Sequence, residues 1–151
     1  MGAAVERSDL KQAMLRASGE RRAELTIKEG LCRLVEDKNP SGAAELFKEV
    51  AEGGYGAFSV QGRLLLGHAY RAMGKRRLAV FSYQAVARRE TVDDATVFAL
   101  LALTEIGDAT IARVSRNRLD ELRGMEAPPE AMALLDGGEA LERVAAVYAE
   151  E

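Results

Sequence analysis

Apolar residues recur along most of the chain at spacings of three and four, which places their side chains on one face of an α-helix. The clearest stretch runs over residues 66–86. There the small Gly67 and Ala79 alternate with the large Tyr70 and Tyr83, and Gly74 separates the two halves. This pattern predicts two short antiparallel helices that cross at the small residues. Gly74 is expected in the turn between them, in a left-handed conformation that glycine adopts without strain.

The same offsets recur on both sides of this helix pair, which indicates an internal repeat. Upstream, Ala43 stands 36 residues before Ala79 and is followed by Phe47 and Val50. Downstream, Ala112 stands 33 residues after Ala79, although Arg116 occupies a place where the other copies have an aromatic residue. Leu100, Leu103 and Gly107 take the places of Gly67, Tyr70 and Gly74.

Turn-forming and capping residues divide the chain into helical elements. We predict an all-α fold, a helical-repeat solenoid with a cap at each end. Its segments are an N-terminal helix over 1–20, helix pairs over about 21–54, 57–90 and 92–123, and a C-terminal capping helix with an acidic tail over 127–151. Ser41 is an expected N-cap, an aspartate of Asp93-Asp94 is expected to cap the first helix of the third pair, and Gly137-Gly138 should interrupt the final helix.

Leu10, Ala13, Met14 and Ala17 lie on one face of the N-terminal helix. That face is expected either to cap the repeats or to dock on a second subunit.

Charge is distributed unevenly around a net charge of −3. Seven Lys or Arg and one acid lie between Arg63 and Glu90, whereas seven acids and one Arg lie between Glu126 and Glu151. The acidic end could cover the basic middle, or the basic helices could face an acidic protein partner. Nucleic acid is not an expected partner, because no aromatic residues are interleaved with the basic ones for base stacking.

The residues that most catalytic and metal sites require are scarce. A single histidine, His68, and a single cysteine, Cys32, cannot build a His/Cys metal cluster within one chain. Gly53-Gly54-Tyr55-Gly56 lacks the Gly-Lys-Ser/Thr ending of a phosphate-binding loop. We therefore expect no enzyme activity, no catalytic residue, no metal and no cofactor.

The location of the protein is also predicted from composition. No apolar run reaches the roughly 20 residues that span a bilayer, and residues 1–9 lack the apolar stretch of a secretory signal. The lone Cys32 cannot form an internal disulfide, so a reducing, cytoplasmic setting is expected.

The spacing from Leu66-Gly67 through Tyr70 and Gly74 to Ala79 and Tyr83 resembles the tetratricopeptide repeat, over roughly residues 24–120. The run Arg71-Ala72-Met73-Gly74 to Ala79-Val80-Phe81-Ser82-Tyr83 is also similar to the central repeat of small tetratricopeptide chaperones of bacterial type III secretion. This resemblance implies a protein that holds a helical or extended segment of a partner in a concave groove.

In the repeat geometry, one face of the first helix of each pair lines that groove. The residues expected there are Lys28, Cys32 and Val35 in the first pair, Gln61, Leu64, His68 and Arg71 in the second, and Val97, Leu101 and Thr104 in the third. Two alternatives stay open. The chain could be a structural subunit that forms a homodimer or larger assembly through its N-terminal helix, or a regulatory tetratricopeptide domain.

Overall fold

The computed structural model describes residues 3–136, and within that range it contains eight α-helices and no β-strand. The all-α prediction is confirmed for this range. The helices are α1 (Ala3–Arg16), α2 (Gly19–Val35), α3 (Pro40–Glu52), α4 (Ala57–Ala72), α5 (Arg76–Ala87), α6 (Asp94–Ile106), α7 (Ala109–Arg123) and α8 (Ala131–Asp136).

The chain divides into two compact units, Met1–Lys75 and Arg76–Glu151. Helices α1–α4 belong to the first unit and α5–α8 to the second. The division falls inside the predicted helix pair 57–90, so its two helices, α4 and α5, belong to different units.

In the first unit each helix packs on the next, and α2 also contacts α4. Ala43, Phe47 and Val50, the upstream copy of the repeat offsets, form the buried face of α3. Two glycines allow the neighbouring helices to approach α3 closely. A Cβ atom on Gly30 of α2 would lie 2.5 Å from Phe47 Cε1, and one on Gly62 of α4 would lie 3.0 Å from Val50 Cγ1.

Helix α1 packs on α2, and the apolar face that the sequence predicts for α1 is its less exposed side. Leu10, Ala13, Met14 and Ala17 are half-buried on that side. Leu15 points the other way and is 78% exposed. The predicted apolar face therefore contributes to packing within the first unit.

The helix ends confirm some expected signals and correct others. Gly74 has φ +75°, the left-handed conformation expected of the turn after α4. Asn39, not Ser41, caps α3, because its side-chain oxygen accepts a hydrogen bond from the Gly42 N–H and Pro40 occupies the first helical position. Gly107 does not repeat the conformation of Gly74, since its φ is −68°.

In the second unit α6 packs against α5 and α7, and α8 contacts α6. The face of α5 that carries Ala79, Tyr83 and Val86 is buried. Helix α7 departs from this pattern, because Ala112 and Ser115 are buried whereas Arg116 is exposed. The downstream copy of the repeat therefore lacks the large buried side chain of the other two.

The connection between α5 and α6 is fixed by a charged cap. The Asp93 carboxylate accepts hydrogen bonds from the Thr96 N–H at 3.1 Å and from Arg89 Nη2 at 2.6 Å. Arg89 Nε also donates to the Val86 carbonyl at 2.9 Å, which ties the cap to the end of α5. Partial burial alone would raise the pKa of Asp93, but the hydrogen bonds from Arg89 and Thr96 outweigh burial and hold that pKa below its usual value.

Helix α8 is tied to the start of α6, where the Ala131 N–H donates to Asp94 Oδ1 at 3.0 Å. The Gly137-Gly138 interruption and the predicted continuation of the final helix lie outside the described residues. In the described part of the chain, no helix has both the length and the apolar character that a membrane crossing requires.

Candidate functional site

The ten residues predicted to line a groove are distributed over three helices. Seven lie in the first unit, on α2 and α4, which contact each other. The remaining three, Val97, Leu101 and Thr104, lie on α6 in the second unit.

On α2 the predicted residues form a partly accessible row. Lys28, Cys32 and Val35 follow one another at helical spacing on the same side of the helix. Lys28 and Cys32 are half-buried, and Val35 is 61% exposed. Lys28 Nζ lies 3.7 Å from Glu24 Oε1 one turn earlier, which is a weak surface ion pair. The row therefore offers a cation at one end and an exposed apolar side chain at the other.

On α4 the predicted residues are more buried. Gln61 and Arg71 are half-buried, and Leu64 is fully buried. A partner could touch Leu64 only after its neighbours moved apart.

His68 is only 8% exposed, and its burial determines its charge. Burial, and then the nearby charge of Arg71, lower the pKa of His68 to about 3. The imidazole is therefore neutral at physiological pH. It can form hydrogen bonds with a partner group, but it does not provide a positive charge.

On α6, Val97 is fully buried and Leu101 is half-buried. The Thr104 hydroxyl donates a 2.6 Å hydrogen bond to the Leu101 carbonyl, so it is satisfied within its own helix. Of these three residues, Leu101 has the side chain best suited to an apolar contact.

Sequence reasoning missed a buried charged residue on α2. Glu29 is 1% exposed, and its carboxylate lies 3.5 Å from Arg33 Nε. Arg33 in turn donates from Nη1 to the Gly42 carbonyl at 3.3 Å, which connects α2 to α3. The spacing of four residues between Glu29 and Arg33 was a signal for this pair, but it did not show that Glu29 would be buried.

Sequence reasoning also missed an exposed apolar pair on α5. Phe81 is 68% exposed and Leu78 is 45% exposed. They lie one turn apart, on the side of α5 away from the buried Tyr83. The sequence did contain a signal for this exposure. The helical spacing of the buried residues of α5 places Leu78 and Phe81 on the opposite side of the helix.

The described residues include no group of three or more His, Cys, Asp or Glu side chains that could hold a metal ion. Comparison with protein-family models, with curated proteins and with solved structures found no match.

Proposed function

We propose that this chain is a non-enzymatic protein-interaction module of the tetratricopeptide type, which holds a segment of a partner protein against the row Lys28, Cys32 and Val35 on α2. The observation that carries the proposal is the exposure of Val35, 61%, at the end of a row that also presents a lysine. An apolar contact beside a charged one suits an amphipathic segment, in which apolar and polar side chains alternate around a helix or along a strand.

The burial pattern supports the repeat part of this proposal. Ala43, Phe47 and Val50 on α3 are all buried, and so are Ala79, Tyr83 and Val86 at the same offsets on α5. A repeated helix pair leaves one face of its first helices to line a concave surface, and repeat proteins commonly bind their partners there. We further propose that the helices form such a solenoid, with α1 and the C-terminal segment as caps.

Within this class, the chain fits best as a small cytoplasmic chaperone or adaptor similar to those of type III secretion. Such a protein would keep one segment of a client from assembling early. The buried His68 and the half-buried Arg71 would then border the bound segment, and its polar groups would meet a neutral imidazole and a guanidinium.

Site-specific photo-crosslinking in the native cell tests the proposal. A photoreactive amino acid is placed at Val35 or at Gln61, and the matched control is placed at Lys48, an exposed position on α3. We expect positions 35 and 61 to crosslink to the same protein and position 48 to crosslink to none.

The interaction should then depend on the row itself. Val35→Asp and Lys28→Glu should each weaken binding of the crosslinked protein, measured with purified components. Unchanged affinity in both variants, or equal crosslinking from all three positions, would contradict the proposal.

One observation favours a second candidate, a structural subunit of a larger assembly. Leu15 is 78% exposed on α1, whereas Leu10 and Met14 are half-buried within the first unit. An assembly formed through α1 would therefore bury Leu15 at the interface between subunits. Sedimentation equilibrium of the parent and of Leu15→Ser tests this candidate. A stable oligomer that Leu15→Ser dissociates would support it, and a monomer at all concentrations would exclude self-assembly through α1.

A further inference from the structure

The outward side of α5 combines exposed apolar and basic residues. Arg77 and Phe81 lie four residues apart along one line of α5, and Leu78 and Ala85 lie beside that line. Arg88 follows directly after the last residue of α5, and because its N–H still donates to the Gln84 carbonyl, it continues that line. We refer to these five residues as the α5 face. It is opposite the buried face of the same helix, so its side chains are not required for the core.

The two large apolar members of the α5 face are unusually accessible. Phe81 is 68% exposed and Leu78 is 45% exposed, although surface positions of a helix are usually polar. Their side chains are adjacent because they are separated by three residues. Aromatic residues such as phenylalanine are enriched in protein interfaces, and the adjacent leucine extends the apolar area that Phe81 offers to a partner.

The two arginines that flank this anchor carry charge that the described residues do not neutralise. Neither Arg77 nor Arg88 forms an ion pair with another described residue. Arg89, in contrast, is bound to Asp93. Residues 75–90 contain five Lys or Arg and one Glu. The α5 face is therefore an apolar patch with positive charge at both ends, separated by about 16 Å along the helix axis.

We propose that the α5 face docks an amphipathic helix of another protein whose apolar stripe is flanked by Asp or Glu. Charge complementarity carries this choice, since acids at both ends of an apolar stripe would meet Arg77 and Arg88 while the stripe covered Leu78 and Phe81. A second copy of the same face would instead bring arginines towards arginines. The α5 face belongs to the second unit and shares no residue with the row on α2, so the proposal does not depend on the proposed function.

The test uses the full-length chain and two synthetic amphipathic peptides of about 18 residues, an acidic peptide with Glu on both flanks of a Leu/Phe stripe and a basic peptide with Lys there. We expect the acidic peptide to bind saturably and the basic peptide not to bind. Phe81→Ser should weaken binding of the acidic peptide at least about tenfold, and Arg77→Glu with Arg88→Glu should abolish it. Circular dichroism of each variant checks that the helices remain folded.

Matched controls come from α7 in the same unit and from the row on α2. Val114→Ser changes another exposed apolar side chain, which is 56% exposed, and Arg116→Glu changes another exposed arginine. Neither should alter affinity for the acidic peptide, and neither should Val35→Asp.

Four results would overturn the proposal. Equal binding of both peptides, or equal loss with the α7 controls, would show that the α5 face is not selective. A dimer that Phe81→Ser dissociates would show that a second copy covers the face. Binding that appears only after Glu139 and Glu142 are replaced by Gln would show that the chain's own acidic segment competes for it.

Discussion

Gly30 on α2 is the position at which a single added methyl group should test the helix packing of the first unit. A Cβ atom there would lie 2.5 Å from Phe47 Cε1 and 2.9 Å from Phe47 Cζ. Carbon atoms in ordinary contact are about 3.5–4.0 Å apart. Phe47 is fully buried, so its ring cannot move aside into solvent. Either the ring or the helix must shift.

Two effects of opposite sign determine the stability of Gly30→Ala. Alanine in a helix interior stabilises by about 1 kcal/mol relative to glycine. Overpacking a well-filled core costs about 1–3 kcal/mol. Because the added methyl group would approach a buried ring closely, we expect the cost at Gly30 to lie near the upper end of that range. We therefore expect Gly30→Ala to lower the free energy of unfolding by about 2 kcal/mol, measured by urea unfolding followed by circular dichroism.

A double-mutant cycle with Phe47→Leu assigns the loss to this contact. Leucine lacks the outer ring atoms that a Cβ at position 30 would meet. Gly30→Ala should therefore cost at least about 1 kcal/mol less in the Phe47→Leu background than in the parent.

The matched control is Gly124→Ala, because a Cβ there would lie no closer than 3.6 Å to its neighbours and φ is −80°. It should change stability by less than about 0.5 kcal/mol. A Gly30→Ala variant as stable as the parent, or no coupling to Phe47→Leu, would refute the reasoning.

Four further predictions concern other parts of the chain. His68, the only histidine, has its pKa lowered from 6.5 to about 3, so the unfolded state takes up a proton between these pH values that the folded state does not. Acidification from pH 7 to pH 5 should therefore lower the free energy of unfolding of the parent by about 2 kcal/mol. The measurement is urea unfolding at the two pH values, and His68→Gln should remove most of the difference between them. Asp93→Ala should cost about 1–2 kcal/mol through loss of the cap and of the Arg89 pair, with a lower melting temperature; an unchanged melting temperature would exclude a stabilising cap. Tyr83→Ala should cost about 3 kcal/mol or more in urea unfolding, because the ring is fully buried. Gly67→Leu should cost about 1–3 kcal/mol if the buried glycine marks a close helix approach, and a variant that melts at or above the parent temperature would contradict this.

Local signals in the sequence were sufficient for the helices and several of their ends. The spacing of apolar residues predicts the buried faces of α3 and α5, because a helix places residues three and four apart on one side. The left-handed turn at Gly74 and an aspartate cap at Asp93-Asp94 follow from the residue types, since few residues suit those backbone positions. The structure shows that Asp93 is the one that caps α6.

At two helix ends the structure corrected the expectation, and the reason lies in the neighbouring residues. Asn39 and Ser41 are both good N-caps, and Pro40 between them decides for Asn39 because proline favours the first helical position. Gly107 resembled the turn glycine Gly74, but its role is spatial. A Cβ there would lie 2.5 Å from the Leu103 carbonyl oxygen and 2.6 Å from Ile111 Cγ2.

Exposure of the candidate site residues was decided only by tertiary structure. Val35 and Leu64 were predicted to share a groove, yet Val35 is largely exposed and Leu64 is fully buried. The sequence placed Phe81 in the repeat without showing that its ring would point outward, and it did not show that Glu29 would be buried. Periodicity determines which side of its own helix a residue occupies. Whether that side is covered depends on which other helices pack against it, and those contacts join residues far apart in the chain.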